Sequence, residues 1–228
     1  MVRAVLAALG CAASAVALAG CITVPSAGPA HPATTSAGPP SYVDRLKAAP
    51  VDQPTGAPSA GTLPQFVTDS RNVACVFTTS RAGNLDQPWE PNNYDDGANA
   101  KAPTIPVVNC ELASYPDPAP ADVTDKCAGT FIGYLGGTAL LTPDRVTYGG
   151  CRAGVTAAEA SFGPDGTPSE AMSTVPVLGQ GRAMEADGYR CAALDDGVAC
   201  ANLATGLGFF VASGSYELLG PGHRAPAG

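Results

Sequence analysis

Histidine is nearly missing from this sequence of 228 residues, and its two copies, His31 and His223, both lie outside residues 63–219. That stretch therefore holds no Ser-His-Asp or Cys-His nucleophile pair and no His-bearing zinc site. Signature spacings are missing too. There is no Cys-x-x-Cys pair for zinc, no Ser-x-x-Lys or Gly-x-Ser-x-Gly for acyl transfer, and no Gly-x-Gly-x-x-Gly or Walker loop for phosphates. Basic charge is scarce: residues 63–219 carry eight Lys and Arg against eighteen Asp and Glu, a net of −10. This balance opposes nucleic acid, teichoic acid and anionic lipid, which basic patches bind through counterion release. A neutral or cationic partner, protein or glycan, fits it better. No catalytic residue, metal ligand or cofactor is assigned.

Long apolar runs are also lacking. The run from Ala4 to Ala19 is about 16 residues, short of the roughly 20 that cross a bilayer. Following Met1-Val2-Arg3 and ending in small residues, it reads as a secretory signal peptide, residues 1–20. Leu18-Ala19-Gly20-Cys21 resembles the bacterial lipobox, which implies cleavage before Cys21 and attachment of a diacylglycerol to its sulfur. Cys11 is the poorer candidate, because only seven apolar residues precede it. The expected address is the outer face of the cytoplasmic membrane, in the cell envelope, with Cys21 as the lipid anchor.

Residues 22–62 contain eight Pro and four Gly with no sustained apolar period, a composition that cannot bury enough apolar surface to offset chain entropy. With Cys21 they are expected to form a disordered stalk, with a root-mean-square span of about 35 Å if flexible and about 125 Å if polyproline-like. Within it, Ser41-Tyr42-Val43-Asp44-Arg45-Leu46-Lys47 can make two helical turns, but an isolated helix that short is marginal in water.

The folded domain is expected over residues 63–219, with a short disordered tail, 220–228. Its apolar segments are short, rich in β-branched and aromatic residues, and punctuated by Gly, Pro and Asp: 72–77, 107–112, 131–135 and 145–148. Strands are expected at Tyr189–Leu194, Val198–Asn202, Leu207–Ala212 and Ser215–Leu219, the first two joined by Leu194-Asp195-Asp196-Gly197 with glycine able to take positive φ. No segment keeps a 3.6-residue apolar period over three turns; Ala157–Phe162 offers one helical turn at most. The fold class is all-β, a small disulfide-stapled sandwich or barrel.

Six cysteines lie in this domain, Cys75, Cys110, Cys127, Cys151, Cys191 and Cys200. In an exported chain an even number implies disulfides, and six allow fifteen connectivities. The four-residue loop 194–197 sets Ala193 beside Val198 and so Cys191 opposite Cys200, which predicts one bridge. Sequential pairing of the others predicts Cys75–Cys110 and Cys127–Cys151.

Asn72-Val73-Ala74-Cys75, Val108-Asn109-Cys110-Glu111, Tyr189-Arg190-Cys191, and Gly197-Val198-Ala199-Cys200-Ala201-Asn202 followed by Thr205-Gly206-Leu207-Gly208-Phe209-Phe210-Val211-Ala212-Ser213 and Tyr216 form an ordered set. The set resembles an uncharacterised family of actinobacterial secreted proteins and lipoproteins. The family pattern is roughly N-I-G-C, V-R-C-D and a C-terminal G-V-T-C-x-N-x-x-T-G-H-G-F-x-x-S-R-x-x-Y. The resemblance covers most of residues 65–219, and this chain departs from it at Leu207, where His is frequent, and Gly214, where Arg is common. It implies an exported β-rich domain with paired cysteines and implies no activity.

The loop Asn84–Gly97 carries the single Trp and several acids. Asp86, Trp89, Glu90, Tyr94, Asp95 and Asp96 are the candidate recognition residues, against the simpler expectation that Trp89 folds back to cover core. The Asp-Asp-Gly triplets at 95–97 and 195–197 lack the alternating acids of a calcium loop and read as turns. The expected function is a binding or interaction module in the envelope. The alternative is a carboxylate-dependent enzyme on wall polysaccharide, which needs two carboxyls at a set spacing, one of them with a raised pKa.

Overall fold

The computed structural model describes residues 40–52, 63–129 and 131–221. The segment expected to be a signal peptide, Cys11, Cys21, most of the expected stalk and nearly all of the expected tail lie outside them. Twelve strands form two sheets. In the first, β1 (Gln65–Thr68), β2 (Val73–Arg81), β4 (Thr104–Leu112), β5 (Gly133–Leu141), β6 (Val146–Arg152) and β7 (Val177–Leu178) run in the order β6-β5-β4-β2-β1-β7, and β3 (Asn84–Leu85) pairs with β2. The second is an antiparallel meander of β8 (Ala183–Ala186), β9 (Tyr189–Ala193), β10 (Val198–Asn202), β11 (Gly208–Val211) and β12 (Tyr216–Leu219). Neither sheet closes into a barrel, so the fold is a sandwich.

Period-two alternation builds the core. Val73, Cys75 and Phe77 of β2 and Val108, Cys110 and Leu112 of β4 point toward Tyr189, Cys191, Cys200, Phe209 and Val211 of the second sheet. The intervening residues are buried as well. Ala74 and Val76 face away from the second sheet and pack under Trp89 and two short helices, α2 (Ala157–Phe162) and α3 (Glu170–Ser173). Thr156 and Ser169 cap those helices, accepting from Glu159 N at 2.9 Å and Met172 N at 3.2 Å.

The outward face of the second sheet is paved with Ala183, Ala192, Ala199 and Ala201, and these small residues let a helix lie close. That helix, α1 (Tyr42–Ala48), falls within the residues expected to be stalk. Leu46 is 1% exposed on it, and Tyr42 stacks on Phe210 with ring centroids 3.8 Å apart. Val51 then bridges Ala183 in parallel. The folded unit thus takes in residues 41–52, because tertiary burial supplies what an isolated two-turn helix lacks.

Three disulfides staple the sandwich: Cys75–Cys110, Cys127–Cys151 and Cys191–Cys200. Cys200 lies directly opposite Cys191 in the β9–β10 ladder and Cys75 opposite Cys110 in β2–β4. Each core bridge therefore joins neighbours within one sheet. Across the core the two bridges touch, Cys110 Sγ lying 3.9 Å from Cys200 Sγ. Gly197 is needed for a different reason than its turn position predicts: its φ is not positive, and a Cβ there would meet the Val211 carbonyl and the Phe210 ring.

Candidate functional site

At one end of the sandwich the turns of both sheets converge on an open cleft of about 300 Å³. The β1–β2 turn contributes Asp69, Ser70 and Asn72, the segment before β8 contributes Gln180, and the β9–β10 and β11–β12 turns contribute Asp195, Asp196 and Ser213. The β1–β2 turn is fixed by its own side chains: Thr68 Oγ1 accepts from Val73 N at 3.2 Å, Arg71 takes a left-handed φ of 56°, and Asn72 Oδ1 accepts from Ser114 N at 2.8 Å. Asp69 accepts from the Gln180 backbone N–H at 3.0 Å, which joins the two walls.

Charge in the cleft is set by the docked helix. Arg45 donates to both oxygens of Asp196, at 2.9 and 2.8 Å, and also to Asp195. This hydrogen bonding, opposed by desolvation and aided by the guanidinium charge, holds the Asp196 carboxyl below the usual range. Asp195 is 70% exposed and turns to solvent. With Asp69, the cleft keeps more negative charge than Arg45 cancels. Chemically it offers acceptors, hydroxyls and amides. Arg45→Ala is expected to lower stability by about 1 kcal/mol, the modest figure reflecting solvent screening of a partly exposed pair. Denaturant midpoints at low and high salt check this, and the difference from parent should shrink at high salt.

One carboxyl among the described residues is held far above its ordinary range. Glu111, on the outer face of β4, is 3% exposed, and burial with repulsion from Glu90 pushes its pKa up to about 7. Its oxygens accept from Gln87 Nε2 and from Ala158 N at 3.2 Å. Trp89 closes over this region, its indole N–H donating to Gln65 Oε1 at 2.8 Å. Both carboxylate oxygens are thus engaged.

In the loop Asn84–Gly97, Trp89 folds back over core, as the simpler of the two expectations has it. Trp89 and Tyr94 are 6% and 7% exposed, and the Tyr94 hydroxyl meets Thr79 Oγ1 at 2.5 Å. Glu90, Asp95 and Asp96 are exposed, and Asp86 is half-buried. Asp96 accepts from Ala98 N at 3.0 Å in a local turn, and Asp95 lies 3.6 Å from Arg81. Tyr94 and Asp95 both meet Arg81, and Trp89 and Glu90 line one shallow hollow with Thr156 and Ser169; the aromatics of the loop are buried and its acids, Asp86 apart, are exposed. The C-terminal motif is likewise turn chemistry. Asn202 Oδ1 accepts from Ala204 N at 2.9 Å and Thr205 N at 3.1 Å, Gly206 takes a φ of 72°, and a Cβ at Gly208 would collide with the Cys200 carbonyl. Two gatherings of metal-type ligands occur among the described residues, Cys75 with Cys110 and Cys200, and Asp125 with Cys127 and Cys151; every sulfur in them is in a disulfide and offers no thiolate.

Comparison with protein-family models, curated proteins and solved structures finds no match. The fold and the cleft therefore carry the functional reading by themselves.

Proposed function

We propose that this protein is an envelope lipoprotein, tethered through Cys21, that presents its disulfide-stapled sandwich as a binding module. The ligand-receiving surface is the cleft between Asp69, Gln180, Asp195 and Ser213. The observation that carries this reading is the Arg45–Asp196 pair: it keeps a cleft carboxyl ionised, so the cleft can accept hydrogen bonds and balance positive charge. Its volume lies at the small end of ligand sites, suited to one side chain or one sugar unit. The carboxylate-enzyme reading gains only from Glu111, whose two oxygens are already occupied beneath Trp89.

The test is a titration of isotope-labelled protein, followed by amide chemical shifts, with spermine as the cationic probe and chitohexaose as the neutral glycan. Shifts confined to Asp69, Gln180, Asp195 and Ser213, with spermine affinity falling about tenfold in Asp195→Asn, support the cleft. Shifts from both probes that avoid those residues, or turnover of the glycan, would overturn it. Loss of membrane association in Cys21→Ala tests the anchor separately.

A further inference from the structure

Half of the eight large apolar side chains exposed among the described residues fall between positions 123 and 135: Val123 at 42%, Phe131 at 88%, Ile132 at 45% and Leu135 at 37%. A ring left that far in water is unusual in a chain that folded Trp89 inward. The segment bearing it is held from several sides. Cys127 is bonded to Cys151, which pairs in register with Tyr134. The Tyr134 hydroxyl lies 3.3 Å from the Asp122 carbonyl, and Asp122 Oδ2 accepts from the Tyr216 hydroxyl at 2.6 Å. The apolar side chains therefore stand on a fixed platform, and covering them costs little ordering entropy.

The place where the described chain begins points to what covers them. Pro40 and Ser41 share a shallow recess with Glu217 and Leu219 of β12. Edge strand β12 lies against β6, and Tyr216 stacks on Tyr148 of β6 at 3.8 Å. The N-terminal end of β5, bearing Leu135, pairs with that same β6. The leading segment and the apolar tip thus leave the sandwich along one shared edge. Cys21 lies nineteen residues before Pro40. That is at most about 65 Å of chain, enough to let the tip meet a surface and short enough to keep it near.

We propose that Phe131, Ile132 and Leu135 insert into the outer leaflet of the membrane that holds Cys21, an inference that rests on the lipid-anchor reading. A tip of this kind sits at the boundary of headgroups and acyl chains. With a net of −10 over residues 63–219, the contact is apolar rather than electrostatic, so salt should not weaken it.

The experiment uses full-length protein purified from membranes and reconstituted into phosphatidylcholine vesicles, with and without bromine on the acyl chains. The signal is the fluorescence added by Phe131→Trp over the Trp89 background. The mass of the mature chain reports separately whether Cys21 carries lipid. The expected result is a lipidated chain whose added fluorescence is at least halved by the brominated lipid, unchanged in about 0.5 M sodium chloride. If the chain is lipidated and the signal is quenched by acrylamide but not by bromolipid, the tip stays in water and the inference fails. Shielding from both quenchers places a protein, or a second copy, on the tip and equally overturns a lipid contact. If the mass shows no lipid, the anchor reading falls. The tip is then judged alone by bromolipid quenching with vesicles in excess: quenching upholds insertion, and its absence ends it.

Discussion

Glu111→Gln is expected to flatten the dependence of stability on pH between about 5 and 8. In the native protein the Glu111 carboxyl has its pKa raised from 4.5 to about 7 by burial and by Glu90, so the folded state holds a proton that the unfolded chain releases. Stability from this group is fully present below pH 4.5 and is lost as pH rises toward 7. The span corresponds to about 3 kcal/mol, or roughly 6–12 °C in melting temperature for a domain of this size. The slope is the diagnostic quantity. In the amide variant one of the two donors, Gln87 Nε2 or the Ala158 N–H, loses its acceptor, which subtracts about 1 kcal/mol at every pH. Asp196 acts in the opposite sense: its lowered pKa adds stability that disappears in acid. Parent protein should therefore be most stable near pH 4–5 with respect to these two groups. A variant retaining the parental slope in thermal melts would move the buried proton to another residue.

The second large effect is removal of the Cys75–Cys110 bridge. Its 35-residue separation corresponds to about 4 kcal/mol of chain entropy in the unfolded state. Cys75→Ala/Cys110→Ala should lower the guanidinium unfolding free energy by that amount. The Cys191–Cys200 bridge, with a separation of 9, gives about 2.6 kcal/mol on the same basis. Because Cys110 and Cys200 touch across the core, deleting both bridges should depart from additivity by about 0.5–3 kcal/mol. A loss below about 1 kcal/mol for the Cys75–Cys110 pair would refute the entropic account.

Much of the second sheet was legible because its strands are consecutive and its turns carry recognisable residues. A four-residue loop fixes the β9–β10 register, and the register fixes Cys191 against Cys200. Local signals failed where tertiary packing decides. The helix bearing Leu46 is two turns long and owes its stability to an alanine-paved face more than 130 residues away in sequence. The strands β3 and β7 have two residues each, too few for any alternation to register. The cleft was not readable because its walls, Asp69, Gln180 and Asp195, come from distant turns. Glu111 did leave a trace: it is the single acid in the run Val107–Leu112, whose other polar residue, Asn109, is buried as well.

The docked helix also lies directly on the covalent path between Cys21 and the sandwich. In the proposed anchored arrangement, a pull on Cys21 would reach Tyr42–Ala48 before it reached a strand, and would load the Arg45 contacts and the Tyr42–Phe210 stack. In that arrangement the helix would carry the load ahead of every strand of the sandwich.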